Sequence, residues 1–395
     1  MTGWLHRRLW QRLPQRWRRH ALFGLAGLLA PRPGPWPARL EEPIYVAGAL
    51  GTASGLGASA RLSLATVRAG GYDARPIDLS AALMQDGALP GYIAGAMSDC
   101  TGPGTILLHV SGFVMALAML RLGRRRLSGK TIIGYWAWEL PDLTPDWLPG
   151  LRFVHEIWVP SRFTAAAVAR HTDLPVRVVP HPVPVAAMPP ENEGPLVVLV
   201  AFDMRSGFAR KNPLAAIEAF RKAFGADPAA RLIVKVSQAQ SWPPGWQALQ
   251  EAVAGAGNIE LTDALLDDAG MAALIDRSDI VLSLHRAEGF GLVLAEAMQR
   301  GKVVVATGWS GNADFLTAQN SCLVAWRLVP ALDPQGSYDF PDQLWAEPDL
   351  EDAARQLGRL TDPALRTRLG RAAQNDARVI FSPARYCETF SDGRR

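Results

Sequence analysis

The sequence predicts an α/β protein built as two doubly wound units facing one cleft. Two observations carry this. Short apolar runs without alternation recur between longer helical patterns, as in parallel sheets buried on both faces. The pattern stops at Pro180–Pro195, which holds six prolines, and then restarts at similar length. Two successive α/β units suggest two Rossmann-like domains.

The elements follow in order. Ile44–Gly48, Arg75–Ile77, Thr105–His109, Thr131–Tyr135, Glu156–Pro160 and Val176–Val179 read as strands, with helices at Ala58–Ala69 and Phe113–Leu122. After the prolines, Leu196–Phe202, Arg231–Val236, Asn258–Leu261, Ile280–Leu284, Val303–Thr307 and Ser321–Val324 read as strands, with helices at Pro213–Phe224 and Leu292–Gln299. The expected domains are residues 41–190 and 191–375, with a terminal helix near 376–395 set to pack back on the first. Residues 1–40 form an arm and linker.

Composition sets limits. The 395 residues are 49% apolar and 20% charged, which excludes a disordered or collagen-like chain. Three distant cysteines, Cys100, Cys322 and Cys387, exclude a disulfide framework and a Cys-based zinc site. The net charge of +4 conceals an asymmetry: the arm holds eight arginines and no acid, so the remainder carries −4. The body is therefore no nucleic-acid binder.

In the arm, Leu5, Leu9 and Leu13 are spaced four apart among arginines, with Trp4, Trp10, Trp17 and Trp36. That is the composition of a helix in an anionic membrane interface. Ala21–Ala30 is too short to span ~30 Å of hydrocarbon. A signal-peptide core or an arm packed on its own domain are the other readings.

Two strings carry chemistry. Gly48–Ala60 is a glycine-rich loop between a strand and a helix, in which backbone amides can approach an anion. Within it Gly55-Leu-Gly57-Ala-Ser-Ala60 satisfies a dinucleotide fingerprint, with Asp78 beyond it, although it starts seven residues after the strand. An NAD(P)-dependent oxidoreductase is the alternative this supports. The second string is Glu288-Gly-Phe290-Gly291-Leu292-Val-Leu-Ala-Glu296. Glu288 lies in the loop at a strand's carboxyl end and Glu296 on the following helix, so both reach one cleft edge. Carboxylates suit sugar and ribose hydroxyls, and the amides at Phe290–Leu292 suit a hydroxyl or phosphate.

This string resembles the E-x7-E signature of retaining GT-B glycosyltransferases of family 4 (glycosyl transferases group 1). Gly308-Trp-Ser310-Gly311-Asn312-Ala-Asp314 is similar to the family's donor loop, and Arg210-Lys211 to its basic pair. Trp158-Val-Pro-Ser161 and Val179-Pro-His181-Pro resemble its approach to the interdomain linker, and Tyr135-Trp-Ala-Trp-Glu139 resembles a bacterial polysaccharide subgroup.

The resemblance implies roles. Glu296 would hold the donor ribose, Glu288 would stand near the transferred sugar, and Phe290, Gly291, Leu292, Gly311 and Asn312 would surround the donor. Arg210 and Lys211 would neutralise the leaving diphosphate. Lys235, ending a strand, either faces the cleft or is an exposed lysine. The family's histidine near the reacting sugar is missing, which leaves Glu139 and His109 as candidates, though a histidine ending a strand is also a common structural residue. Gly55 and Gly57 would form an acceptor or phosphate loop. Ser161 either contacts the acceptor or caps the helix after it.

The expectation is a hexosyltransferase that needs no metal and no cofactor beyond its nucleotide-sugar co-substrate. A catalytically inactive GT-B binding protein is a further alternative. The acceptor expected is a glycan or a polyprenyl-diphosphate-linked oligosaccharide in surface polysaccharide assembly. The arm implies a cytoplasmic protein peripheral to the inner face of the plasma membrane.

Overall fold

The computed structural model describes residues 26–392 except 38, 84–87, 90–91, 93–99 and 191–192. The amphipathic part of the arm lies outside the described residues.

The first unit is a six-stranded parallel sheet in the order β2-β1-β3-β4-β5-β6. Its strands are β1 (Ile44–Gly48), β2 (Ala74–Asp78), β3 (Gly104–His109), β4 (Lys130–Tyr135), β5 (Glu156–Val159) and β6 (Val176–Val178). Every residue of β1, β3, β4 and β5 is buried. This is why these strands read as continuous apolar runs. Helices α1 (Gly55–Ala69), α2 (Met115–Leu127) and α3 (Arg162–Ala169) connect them. Ser54 caps α1 by accepting from the Gly57 amide at 3.1 Å.

The second unit repeats the plan. Strands β7 (Leu196–Asp203), β8 (Ala230–Ser237), β9 (Ile259–Asp263), β10 (Ile280–Ser283), β11 (Val303–Thr307) and β12 (Cys322–Val324) form a parallel sheet ordered β12-β11-β10-β7-β8-β9. The one-turn α4 (Phe208–Lys211) follows β7 and leads into α5 (Pro213–Phe224). Pro213 sits at the first position of α5, where its missing N–H costs nothing. Helices α6 (Pro243–Val253), α7 (Asp268–Asp276) and α8 (Leu292–Gln299) complete the layers.

Two features depart from the sequence expectation. The chain after β12 forms an antiparallel hairpin, β13 (Trp326–Pro330) with β14 (Leu344–Pro348). Pro330, Pro334, Pro341 and an almost wholly exposed β13 hide it from pattern reading. Its Ala331, Tyr338 and Trp345 are buried with the core of the first unit, so the hairpin bridges the two units.

The terminal helix that packs back on the first unit begins at Pro383 rather than near residue 376. After α9 (Leu350–Arg359), α10 (Pro363–Ile380) stays against α8 of the second unit. Only α11 (Pro383–Asp392) crosses to α1, where Tyr386 and Phe390 enter the first core. The Tyr386 hydroxyl lies 2.8 Å from Ser63 Oγ.

The strand order reverses between β1 and β3 in one sheet and between β7 and β10 in the other. Loops leaving the carboxyl ends of such strand pairs diverge and open a crevice. The two crevices meet in one cleft of about 490 Å3. That volume is typical of small-molecule sites, which run from roughly 300 to 1,000 Å3.

Candidate active site

The loop joining β10 to α8 supplies the cleft floor. Gly291 caps α8 in the left-handed region at φ +95°, which glycine adopts without a Cβ penalty. The loop is pinned from behind. The Glu288 amide donates to Ser310 Oγ at 2.9 Å, and the Gly311 amide donates to the Glu288 carbonyl at 2.8 Å. A Cβ on Gly311 would overlap the Gly289 carbonyl. Asn312 is fully buried, accepts from His285 Nε2 at 2.9 Å and donates to the Thr307 carbonyl at 2.9 Å. Gly311 and Asn312 thus stand one layer behind the cleft surface and shape the loop.

Around this loop lies an ion cluster. Lys211 Nζ donates to Glu288 Oε1. Arg210 Nη1 stands 3.4 Å from Glu288 Oε2, and Nη2 stands 3.9 Å from Glu139 Oε1. The α4 turn aims both cations inward, with Arg210 held by the Ser206 and Ala287 carbonyls at 2.9 and 2.7 Å. The Arg210 guanidinium lies 5.3 Å above the Tyr338 ring, and the Tyr338 hydroxyl donates to Glu139 Oε2 at 3.2 Å. Tyr338 belongs to the hairpin, and no sequence signal marked it.

Electrostatics separates the two carboxylates. Burial raises both. At Glu288, Lys211 and Arg210 overcome it and bring the carboxyl down to about 2. At Glu139 burial wins over Arg210, and Glu288 adds to the rise, so this carboxyl stays above its ordinary value. Burial lowers the Lys211 ammonium, with Glu288 opposing. Burial also works against the Arg210 cation, but Tyr338, Glu288 and Glu139 hold it charged. One carboxylate is thus a permanent anion, and the other holds its proton more readily.

Further along α8, Glu296 lies half-buried in the cleft wall. It has no hydrogen-bond partner among the described residues. Burial and the nearby Asp268 carboxylate push it up to about 7. Between Glu288 and Glu296 the Leu292 and Val293 amides have no acceptor within the helix, whereas Leu294 and Ala295 donate to the Gly291 carbonyl. Phe290 carries its ring away from them into an aromatic cluster with Phe315 and Phe381. Lys235 lines the cleft and donates to Ser237 Oγ; burial lowers its ammonium despite Asp203 and Asp263. The exposed-lysine reading of Lys235 is set aside, since only 6% of it is accessible.

The first unit contributes the opposite wall, and here three expected residues are displaced. Gly55 borders the cleft. Gly57 does not: an added Cβ would meet the Ala49 and Thr52 carbonyls at 2.6 Å, so this glycine serves close packing of the turn. His109 is buried beneath the wall, stacked on Tyr135 at 4.5 Å, and cannot touch a ligand as placed. Ser161 is fully buried, so the acceptor contact is corrected. It caps α3 and donates to the Gly289 carbonyl at 2.6 Å, tying the first unit to the loop of the second. One residue was missed: His181, within the linker string, lines the cleft.

The fingerprint loop does not make a dinucleotide site. Six residues separate β1 from α1, and the Asp78 carboxylate is taken by the Ser80 amide at 2.9 Å and by the Ser80 hydroxyl.

Comparison with known proteins locates this geometry. Residues 197–338 match the family model described as glycosyl transferases group 1. These residues form a glycosyltransferase domain. Everything in the ion cluster except Glu139 lies inside it. No curated protein matches the chain.

Among solved structures, HepE from Anabaena, in complex with UDP and glucose, is 12% identical with TM-score 0.61, over 88% of this chain and 98% of its own. Sucrose-phosphate synthase from Thermosynechococcus elongatus is 15% identical with TM-score 0.63, over 89% and 98%. A variant of TarM from S. aureus, in complex with UDP among other ligands, is 12% identical with TM-score 0.56, over 74% of this chain. This chain spans only 55% of the length of TarM. The likenesses show the fold: two Rossmann-like domains in the GT-B arrangement.

Proposed function

We propose that the chain is a retaining glycosyltransferase that moves a sugar from a nucleotide-sugar donor to a lipid-linked oligosaccharide in surface polysaccharide assembly. The observation that carries the donor is the pair Arg210, buried, and Lys211, half-buried, at the cleft floor with Glu288. Fixed cations and amide dipoles stabilise charge that develops on a departing diphosphate. Glu296 supplies what a ribose needs, a carboxylate with no other partner. The matched family model and the UDP complexes of HepE and TarM support this reading.

In the step proposed, an acceptor hydroxyl oxygen bonds to the anomeric carbon on the face the leaving group vacates. The bond from that carbon to the diphosphate oxygen breaks. The acceptor proton passes to the diphosphate, and Glu139 is the variant base.

A panel of nucleotide sugars tests the donor by thermal unfolding, because a ligand that binds only the folded chain raises the midpoint. Anomeric proton coupling in the product tests retention. No shift with any nucleotide sugar sinks the reading.

The lipid-linked acceptor rests on the arm. Each basic residue near an anionic leaflet contributes on the order of 1 kcal/mol, and Trp rings settle at headgroup depth. Where the described chain begins, Leu28 and Leu29 are exposed, at 80% and 68%. No helix among the described residues is long and apolar enough to cross a membrane. Co-sedimentation with anionic vesicles at low salt, with and without residues 1–38, decides it. Full-length protein left in the supernatant ends the membrane reading.

A further inference from the structure

The transfer step leaves one buried polar cluster unused. Ser59 on α1, His109 at the end of β3, Tyr135 at the end of β4 and His181 in the linker meet beneath the first unit's cleft wall. Ser59 Oγ lies 2.8 Å from His109 Nδ1 and 3.1 Å from His181 Nδ1. The Tyr135 hydroxyl lies 3.0 Å from His181 Nδ1 and 2.6 Å from the Val179 carbonyl.

The partners fix where the protons sit. A carbonyl only accepts, and a phenol has one proton, so the Tyr135 hydroxyl donates to Val179. Its oxygen must then accept from His181, whose ring proton is therefore on Nδ1. Ser59 Oγ also accepts from that N–H, and its own proton goes to His109 Nδ1, which puts the His109 ring proton on Nε2, buried without a partner. Burial holds the His181 ring neutral, down at about 3. A neutral imidazole with its proton on Nδ1 has a lone pair on Nε2.

That lone pair is available. Nε2 has no hydrogen-bond partner among the described residues and is not among the buried unpartnered atoms, and the ring lines the cleft. The ring meets Phe290 edge-on at 4.7 Å, on the loop that leads into α8. A phosphate or a carboxylate presents only acceptors and would be repelled there. A sugar hydroxyl presents a donor.

We infer that His181 Nε2 accepts a hydrogen bond from a hydroxyl of the transferred sugar, and that Tyr135 and Ser59 are positioning residues that fix its tautomer. This rests on the nucleotide-sugar reading of the cleft. The acceptor would discriminate among donors that differ at one hydroxyl, since a sugar lacking it leaves the lone pair unpaired.

The test has two arms. Imidazole nitrogen NMR of the whole protein reads the tautomer directly, without any ligand. An Nδ1–H ring at His181 is expected, converting partly to Nε2–H in Tyr135→Phe. An Nε2–H or doubly protonated ring in the wild-type protein at pH 7 overturns the proposal whatever the cleft binds.

The second arm uses calorimetry with UDP and with the nucleotide sugar that most stabilises the wild-type chain. His181→Phe should weaken the nucleotide sugar about tenfold, the worth of one hydrogen bond, and leave UDP within about twofold. His181→Gln, which keeps an acceptor oxygen, should recover part of the loss. Equal nucleotide-sugar affinity in His181→Phe and wild type overturns the proposal. A wild-type chain that binds no nucleotide sugar overturns instead the function proposed above, and the sugar as His181's partner with it.

Discussion

The two walls of the cleft handle polar residues in opposite ways. In the second unit, Arg210, Lys211, Glu288 and Glu296 come from two short stretches of chain and face the open cleft. In the first unit, Ser59, His109, Tyr135 and His181 span 122 residues and bond one another within the wall, with Ser59 and the His181 ring bordering the cleft and His109 Nε2 buried without a partner. The difference is between a wall that carries charge and a wall that fixes geometry. Charge works at the surface, where a ligand's own charge can replace a protein partner. A tautomer has to be set from behind, by groups that no ligand displaces.

The largest effect should come from the charged wall. Lys211→Ala should lower turnover by about 10²-fold or more, as for removal of other donors aimed at developing negative charge. A loss smaller than about threefold would take Lys211 out of the chemistry. A chelator sharpens the same point: with Arg210 and Lys211 compensating the diphosphate, EDTA should leave turnover unchanged, and its abolition would hand that task to a metal ion.

The contrast also explains what could be read from sequence. The charged wall was legible because its residues lie in contiguous strings, Arg210-Lys211 and Glu288 to Glu296, each placed by one strand-to-helix turn. Both sheets were legible because strands buried on two faces leave no polar gaps, as in β1 and β3. The relay was illegible: the order β2-β1-β3-β4-β5-β6, rather than any spacing, brings His109 beside Gly48 and Tyr135 within reach of the linker. Tyr338 stayed hidden because its hairpin lacks strand periodicity and finds its partners across the cleft.

A smaller effect, about tenfold, belongs to Glu296. Glu296→Gln exchanges a carboxylate for a neutral amide opposite hydroxyl donors, so calorimetry should show UDP binding weakened by that factor at pH 8. Stability should move the other way. The folded-state value, raised to about 7 by burial and by Asp268, lies above the unfolded one near 4.5. The folded chain then binds the extra proton between these values, so this group's stabilising contribution is complete below about 4.5 and is lost as pH rises through 7. Glu296→Gln should therefore unfold at a higher temperature than wild type at pH 8 and at the same temperature at pH 4. Equal midpoints at both pH values would show that Glu296 is solvated like a surface carboxylate.

The smallest effect should come from an exposed ion pair that joins the two walls, Arg61 with Asp268. Arg61 on α1 donates from Nε and Nη2 to the Asp268 carboxylate at 2.9 and 2.6 Å, and from Nη1 to the Leu50 and Thr52 carbonyls. The Asp268 side chain is 66% exposed, so water screens the pair. Asp268→Asn leaves Arg61 its carbonyl partners and should cost less than about 1 kcal/mol in chemical unfolding. Its signature lies elsewhere. Asp268 helps hold Glu296 up, whereas Arg61 lowers it, so removing the acid and keeping the guanidinium should bring Glu296 down. More of it is then ionised at pH 6, and the gain in UDP affinity between pH 6 and pH 8 should be smaller in Asp268→Asn than in wild type. Glu296→Gln is the control, because titration of the phosphate itself contributes equally to all three proteins. If Asp268→Asn keeps the wild-type pH profile, the two walls are joined mechanically at this point, and Glu296 does not feel the first unit's approach.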